Sequence, residues 1–282
     1  MGRDKSKKDK GHSGGRPGWG DAPGGSGFAP LPKGKSFPGA SDEKVGEEKA
    51  AELESGISAT GILYLVPTPI GNLGDITYRA VEVLKNADVL LCEDTRTSGV
   101  LLKHYGIQRP LLSYHLHNEH HMTAGLANRV EEGQTLALLT DAGTPGVSDP
   151  GFMLVRECRR RGLRVECLPG ATAFVPALVQ SGLPLSSFVF EGFLPVKKGR
   201  QTAMKAIADE ERTVVLYESP HRLARTLREL AEICGADRKA AVCRELTKKF
   251  EETRIGSLGE LASYYETTAP RGEIVLVIGG RD

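Results

Sequence analysis

The sequence predicts an α/β protein built from two α/β domains with mostly parallel sheets. Three observations carry this. Short runs of Val, Ile and Leu alternate with longer stretches whose apolar residues recur at helical spacing, the pattern of parallel strands joined by helices. The ten strand candidates divide into five before and five after Leu183-Pro184-Leu185. The chain has 282 residues, of which 39% are hydrophobic, a size for one large domain or two ordinary ones with a substantial core.

The first set opens with Ile62 to Val66, a strand. Ile76 to Asn86 carries apolar residues at 76, 80, 81, 83 and 84 and reads as a helix. Asp88 to Cys92 and Leu111 to Tyr114 are strands, Glu119 to Glu131 a helix, and Thr135 to Leu139 a strand. Pro150 to Arg161 has helix signals at both ends: Asp149 as N-cap, Pro150 in the first turn, Gly162 as the stop. Val165 to Leu168 and the helix Ala171 to Gln180 complete the set. The second set has strands at Phe188 to Glu191, Thr213 to Tyr217, Ala240 to Cys243, Glu251 to Ile255 and Ile274 to Ile278. Its helices are expected near 200–209, over Pro220 to Cys234 with Gly235 as stop, and near Leu258 to Tyr265. The expected division is a Gly/Pro/Lys-rich disordered arm at 1–58, an N-terminal domain at 59–184 and a C-terminal domain at 185–282.

The arm follows from composition. Residues 1–40 hold 11 Gly, 5 Pro and a single branched aliphatic residue, Leu31, with 8 Lys/Arg against 3 Asp/Glu. Such a segment buries too little apolar surface to offset its ordering entropy. Gly34-Lys35-Ser36 mimics the end of a phosphate loop, but Ala29 stands where that loop needs glycine and no strand precedes it. Trp19, Phe28 and Phe37 among glycines and lysines offer RNA contacts, though a solvated tail is the simpler reading.

Lys plus Arg is 37 and Asp plus Glu 36, and residues 61–282 hold 27 of each, so the net charge of +1 belongs to the arm. This excludes a protein that coats nucleic acid through overall charge. No apolar run approaches the roughly 18 residues of a membrane span, and no apolar stretch follows the early lysines as in a secretory signal. Cys92, Cys158, Cys167, Cys234 and Cys243 form no C-x-x-C pair, which suits core thiols in a reducing cytoplasm.

In open α/β sheets ligands sit beyond the carboxyl ends of strands. Val66 runs into Pro67-Thr68-Pro69-Ile70-Gly71-Asn72-Leu73-Gly74-Asp75, a stiff loop that a ligand can approach. Leu139 runs into Thr140-Asp141-Ala142-Gly143-Thr144-Pro145-Gly146-Val147-Ser148-Asp149-Pro150-Gly151, whose small residues leave backbone N–H groups open to an anion. Leu168 runs into Pro169-Gly170-Ala171-Thr172-Ala173. Three such turns in one domain indicate a ligand cleft, and none matches the G-x-G-x-x-G dinucleotide fingerprint. Polar clusters follow other strands: Glu93-Asp94-Thr95-Arg96, Glu218-Ser219-Pro220-His221-Arg222 and Arg244-Glu245-Leu246-Thr247-Lys248. Their carboxylates serve either as helix caps or as chemical groups, and Arg96, Arg222 and Arg244 fall where phosphate contacts would need them. Four of the seven histidines lie in His115-Leu116-His117-Asn118-Glu119-His120-His121; the spacing matches no familiar zinc site, so a polar substrate-facing loop is expected and no metal. Arg156, Arg159, Arg160, Arg161 and Arg164, with Lys197, Lys198, Arg200 and Lys205, are solvated faces or local RNA-binding patches.

Taken in order, Val66-Pro67-Thr68-Pro69-Ile70-Gly71-Asn72-Leu73, Glu93-Asp94-Thr95-Arg96, Asp141-Ala142-Gly143-Thr144-Pro145, Glu191-Gly192-Phe193-Leu194-Pro195, Tyr217-Glu218-Ser219-Pro220-His221-Arg222 and Arg244-Glu245-Leu246-Thr247-Lys248 resemble a known family. It is the 16S rRNA (cytidine-2′-O)-methyltransferases, of the tetrapyrrole-methylase-like class that uses S-adenosyl-L-methionine (SAM). The resemblance spans about residues 61–280. It implies two α/β domains with SAM in the cleft between them, a homodimer, and action on the ribose of a decoding-site cytidine in the small ribosomal subunit. For the cofactor it points to Pro67, Ile70, Gly71, Asp141, Ala142, Gly143, Pro145, Thr172, Phe193 and Leu194; for RNA, to His117, Asn118, Glu119, His221 and Arg222. A sulfonium methyl is already electrophilic, so alignment is the main task and a base or cation assists the weakly acidic 2′-hydroxyl. Asp94, Glu218 and Glu245 are candidates for the base; Arg96, Arg222, Arg244 and Lys248 for holding phosphate or the developing alkoxide. The alternatives are methylation of a tetrapyrrole-type small molecule and a non-catalytic RNA-binding assembly factor.

Overall fold

The computed structural model describes residues 61–281; the arm expected over 1–58 lies outside them. Five strands make the first sheet: β1 (Ile62–Val66), β2 (Val89–Cys92), β3 (Leu111–Ser113), β4 (Leu136–Leu139) and β5 (Arg164–Cys167). Their order is β3-β2-β4-β1-β5, and every pairing is parallel. Parallel neighbours need long crossovers. These hold helices α1 (Tyr78–Asn86), α2 (Thr95–His104), α3 (Glu119–Glu131) and α4 (Phe152–Arg160). Strands β2 and β4 are buried at every position, as central strands covered on both faces must be. Successive residues serve opposite faces. Leu63, Leu65, Leu136 and Leu138 pack toward Leu126, Val130 and Leu154 of α3 and α4. Val66, Leu90, Ala137 and Leu139 pack toward Ala80, Leu84 and Leu102 of α1 and α2.

Helix α5 (Phe174–Ser181) ends on Gly182 in the left-handed conformation, φ 67°. The second sheet follows: β6 (Phe188–Phe193), β7 (Thr213–Glu218), β8 (Lys239–Arg244), β9 (Glu252–Ser257) and β10 (Ile274–Ile278). Its order is β6-β7-β10-β8-β9. Here the expectation of mostly parallel strands is corrected: β6 and β7 are parallel, whereas β7–β10, β10–β8 and β8–β9 are antiparallel. Seven residues with no helix join β8 to β9, too few for a parallel crossover, so the chain must reverse. One face of this sheet carries α6 (Arg200–Asp209), α7 (Leu223–Cys234) and α8 (Leu258–Thr267) over Leu216, Val242 and Leu276. The other face receives α5, whose Ala177 and Leu178 pack with Val215, Ala241, Val275 and Val277.

Four helix starts are later than the sequence indicates: α1 at Tyr78, α4 at Phe152, α5 at Phe174 rather than Ala171, and α7 at Leu223 rather than Pro220. Thr77, not Ile76, opens α1: its hydroxyl accepts the Ala80 N–H at 3.0 Å. Asp149 does not cap α4; the N-cap is Gly151, at φ 141° and without a side-chain cap bond. A tight turn, in which the Gly146 N–H donates to the Pro150 carbonyl at 3.2 Å, delays the helix and leaves Asp149 in the loop. All five cysteines are free; Cys92, Cys158 and Cys243 are buried, but Cys167 is exposed at the end of an edge strand rather than in the core. Among the described residues no helix is long and apolar enough to cross a membrane.

Candidate active site

A cleft of about 470 Å³ lies where the carboxyl ends of β1, β4 and β5 face the second sheet. One wall comes from Ile70, the loop from Asp141 to Asp149, and Thr172-Ala173; the other from Phe193, Tyr217-Glu218, Cys243, Leu246 and residues 272–275. β10 runs opposite to β7 and β8, so its first residues reach the same edge where β7 and β8 end.

The three small-residue loops are bonded to one another. Thr68 and Gly143 exchange two backbone hydrogen bonds, at 2.9 and 3.0 Å. The Thr68 hydroxyl donates to the Thr140 carbonyl at 2.9 Å, and the Thr144 hydroxyl to the Ala171 carbonyl at 3.0 Å. Glycine is required at two contacts. A Cβ at Gly170 would lie 2.5 Å from Cβ of Pro67, and one at Gly71 (φ 146°) would lie 2.4 Å from Cγ of Lys248. Among the described residues three non-glycine residues take left-handed φ values, Ser148 at 64°, Glu245 at 52° and Thr247 at 65°. They flank the cleft from both walls, and such strain persists only where the surroundings impose it.

The cleft's charge is negative. Asp149 has its carboxyl pushed up to about 6 by burial, then by the neighbouring carboxylates of Glu93 and Asp141. Burial also raises Glu93, with Asp141 adding to it, and raises Asp141, where the Asp94 backbone amide offsets part of the effect. Tyr217 is pushed up to about 12 by burial and by Asp149. Among the described residues no three His, Cys, Asp or Glu side chains are grouped as metal ligands.

Of the residues expected to hold a cofactor, Ile70, Asp141, Ala142, Gly143, Thr172 and Phe193 line the cleft. Pro67, Gly71, Pro145 and Leu194 do not. Pro67 lies under Gly170, Gly71 under the Lys248 stem, and Pro145 and Leu194 are buried supports.

The residues expected to carry the chemistry are mostly committed to one another. Asp94 caps α2, accepting the Arg96 N–H at 2.8 Å, and pairs with the Arg96 guanidinium at 2.8 Å. The Arg96 side chain and backbone N–H hold the Asp94 carboxyl down at about 2. Glu218 lines the cleft, yet its side chain is 1% exposed. It accepts the Ser219 N–H at 2.7 Å, Arg222 at 2.7 Å and the Thr226 hydroxyl at 2.6 Å. Arg244 pairs with Glu252 at 2.8 Å, and Lys248 with Glu245 at 2.9 Å and Glu273 at 3.0 Å. Burial raises the Glu245 carboxyl, but the Glu273 amide and Lys248 outweigh it and leave it below the usual range. These groups build the walls and have little capacity left to take a proton.

The residues expected to meet RNA lie outside the lining. Asn118 pins the turn before α3, accepting the His115 N–H at 2.8 Å and donating to the Ser113 carbonyl at 3.0 Å. Glu119 sits in the first turn of α3; His117 and His221 are exposed. Arg222 bonds Glu218 and the Leu194 carbonyl. In the arginine run, Arg160 and Arg161 pair with Glu157 and Arg164 with Glu166, whereas Lys197 and Lys198 are exposed, a few residues past Phe193 in the chain. Sequence reasoning missed Asp149, Tyr217, Leu246 and residues 272–275 as lining groups. The rule of looking beyond strand ends reached Asp149 and Tyr217, but a cap assignment hid the first. Residues 272–275 precede an antiparallel strand, so no reading of parallel strands could have found them.

Two sheets meeting at one cleft, with glycine-rich strand ends on one side and a mixed sheet on the other, define the tetrapyrrole (corrin/porphyrin) methylases, whose family model matches residues 62–262. The ribosomal RNA small subunit methyltransferase I of Synechocystis sp. is 50% identical over 221 residues, 78% of this chain and 79% of that protein. Its counterpart from Mesorhizobium japonicum is 51% identical, covering 77% and 74%. Among solved structures, uroporphyrin-III-C-methyltransferase from Thermus thermophilus superposes with a TM-score of 0.56 at 27% identity, covering 78% of this chain and 94% of that one. A structure of that enzyme complexed with S-adenyl homocysteine gives 0.55 at 21%, covering 78% and 97%. The chain belongs to the ribosomal RNA small subunit methyltransferase I family, as the resemblance implied.

Proposed function

We propose that this protein transfers the methyl group of SAM to the 2′-oxygen of a decoding-site cytidine in 16S rRNA, acting in the cytoplasm as a homodimer on the small ribosomal subunit. The observation that carries it is the cleft between the two sheets in a chain with relatives 50% and 51% identical that are named ribosomal RNA small subunit methyltransferase I. We also propose a division into domains 59–184 and 185–282, on the ground that each would then carry one of the two five-stranded sheets.

The cleft's chemistry suits the cofactor. Ile70, Ala142, Phe193, Leu246 and Val275 offer apolar surface to an adenine, and Asp141 and Asp149 set a negative field that favours a cation. When bound, SAM supplies a methyl group already activated by its sulfonium. Thr68, Gly143 and Thr144 fix the loops that hold it, through the bonds described above. We assign Ile70, Asp141, Ala142, Gly143, Thr172 and Phe193 to contacts with it, and Pro67, Gly71, Pro145 and Leu194 to the layer beneath. Exposed Lys197 and Lys198, which follow Phe193 closely in the chain, are assigned to contacts with a phosphate backbone. With no excess of positive charge over residues 61–282, binding depends on the shape of the assembled subunit, so unstructured RNA is a poor substrate.

The test is transfer of tritiated methyl from SAM to small subunits purified from a strain lacking the enzyme, with the modified nucleoside mapped by mass spectrometry. Label in a 2′-O-methylcytidine is expected. Unlabelled subunits together with methylation of a tetrapyrrole would overturn the reading.

A further inference from the structure

We propose that Glu93 reads the base of the acceptor nucleotide, its carboxylate accepting an N4 amino hydrogen of cytosine, an inference that rests on the 2′-O-methyl transfer proposed above. The sheet order places it. The cleft takes the carboxyl ends of β1, β4 and β5. Strands β2 and β3 lie on the other side of β4, and their ends carry Glu93 and the segment from Tyr114 to His121. Asp141 and Asp149 belong to the cleft lining, whereas Glu93 stands beside it, near enough for its charge to act on both. A ribose that meets the methyl donor in the cleft carries its base one glycosidic bond away, within reach of this flank. A base taken out of its stack is then read by hydrogen bonds to its pairing edge.

Local structure holds Glu93 at this edge. Cys92 is the buried last residue of β2, and Asp94 caps α2 by accepting the Arg96 N–H at 2.8 Å, so Glu93 sits between a strand end and a helix start. The Ser113 hydroxyl donates to the Glu93 carbonyl at 3.4 Å and ties it to β3. The residue is half-buried, and among the described residues no hydrogen bond reaches its carboxylate. Glu218, Glu245, Glu273 and Asp94, by contrast, are held by their own partners. Burial, then Asp141, raises the Glu93 carboxyl, as expected of an acceptor that no partner has yet engaged. His115, from the end of β3, is the basic group that acts on it. The His115 Nδ1 is buried with no partner among the described residues. An unpaired buried polar atom is costly and marks a place where a partner from outside the chain is expected.

The chemistry of the base then selects. Cytosine presents the N4 amino donor where uracil presents the O4 acceptor. An ionised carboxylate has acceptors only. It takes the N4 hydrogen and repels O4, so Glu93 favours cytosine over uracil by about 10–100-fold. Glu93 touches the base and none of the reacting atoms. A glutamine keeps the shape of glutamate but carries both a carbonyl acceptor and an amide donor, so turned one way it meets N4–H and turned the other it meets O4.

The experiment compares the full-length wild type with Glu93→Gln and Glu93→Asp. The substrates are small subunits reconstituted from 16S rRNA transcripts with cytidine or uridine at the mapped position. Tritiated-methyl transfer gives kcat/KM for each, and calorimetry gives SAM affinity. The wild type should favour cytidine by about 10–100-fold. Glu93→Gln should bring the two substrates within about threefold of one another, with SAM affinity also within about threefold of wild type. Glu93→Asp, which keeps the carboxylate on a shorter stem, should retain the preference at a lower rate. A merely structural role would lower both substrates alike. An unchanged cytidine-to-uridine ratio in Glu93→Gln, or no preference in the wild type, therefore overturns the proposal. A loss of SAM affinity that matches an equal loss on both substrates overturns it too, making Glu93 part of the cofactor wall. If the wild type labels no cytidine-bearing subunit, the 2′-O-methyl reading fails first and takes this inference with it.

Discussion

Replacing Glu218 by Gln separates a wall-building carboxylate from a chemical one. The Glu218 side chain is 1% exposed and receives the Ser219 N–H at 2.7 Å, Arg222 through Nε at 2.9 Å and Nη2 at 2.7 Å, and the Thr226 hydroxyl at 2.6 Å. Thr226 in turn accepts Arg200 at 2.8 Å, and Arg200 pairs with Glu229 at 2.8 Å. A glutamine keeps one acceptor oxygen for Ser219 and Arg222. Its NH2 then faces Thr226, which has a second lone pair, so that bond reverses instead of being lost. What disappears is the charge on the two Arg222 bonds. Charge-assisted bonds are worth roughly 1 kcal/mol more than neutral ones, so the loss is about 2 kcal/mol. For a folded part of about 220 residues that lowers Tm by roughly 4–8 °C. Glu218→Ala, which leaves Arg222 without its partner, should lose about 3–5 kcal/mol. Urea and thermal melts at pH 7.5 measure this, with methyl transfer assayed well below Tm. We expect kcat of Glu218→Gln within about threefold of wild type, since no proton-transfer factor of roughly 100 is lost. Unchanged stability with a 100-fold loss of kcat would refute the reasoning and make Glu218 the chemical group.

Asp149→Asn carries a stability prediction. Its folded pKa, about 6, exceeds the ordinary 3.8, so the folded state holds more protons across that window and loses stability as pH rises through it. Above pH 7 the loss is about 3 kcal/mol, so Asp149→Asn should be roughly 1–3 kcal/mol more stable than wild type at pH 7.5 and equal below pH 4. Urea melts across pH decide; a wild type that gains stability from pH 4 to 7 relative to the variant contradicts it. Gly170→Val drives a side chain into Pro67, and should lower stability by about 1–3 kcal/mol and SAM affinity at least about tenfold. Gly71→Ala collides with Lys248, so its effect should shrink by roughly 1 kcal/mol in a Lys248→Ala background; strict additivity would contradict the contact. Deletion of residues 1–58 should leave SAM affinity by calorimetry unchanged, because the cleft lining spans 70–275.

Much of the site was legible because strand ends are written in local chemistry. Pro67 to Asp75, Thr140 to Gly151 and Pro169 to Ala173 are glycine- and proline-rich where apolar runs stop, and the structure brings all three to one edge. Helix α2 was not among the expected elements: Thr95–His104 has polar residues early and weak periodicity, and only a candidate cap, Glu93 or Asp94, hinted at it; the structure uses Asp94. The roles of charged residues were not legible. Asp94, Glu218, Glu245, Arg244 and Lys248 look alike in sequence whether they face a ligand or one another, and pairing is settled by distances of a few ångströms between segments far apart in the chain.

The sequence alone determined the alternation of strands and helices, the small-residue loops at the strand ends and the family, since each rests on local pattern. Tertiary structure decided the rest. It reversed β9 and β10 against β6, β7 and β8, because the seven residues between β8 and β9 cannot carry a parallel crossover, and so brought residues 272–275 into the cleft. It also delayed α4 past Asp149 and faced that carboxylate toward Glu93, Asp141 and Tyr217. An aspartate before a proline reads as a cap in sequence; burial among other acids, which only folding creates, gives it a different chemistry.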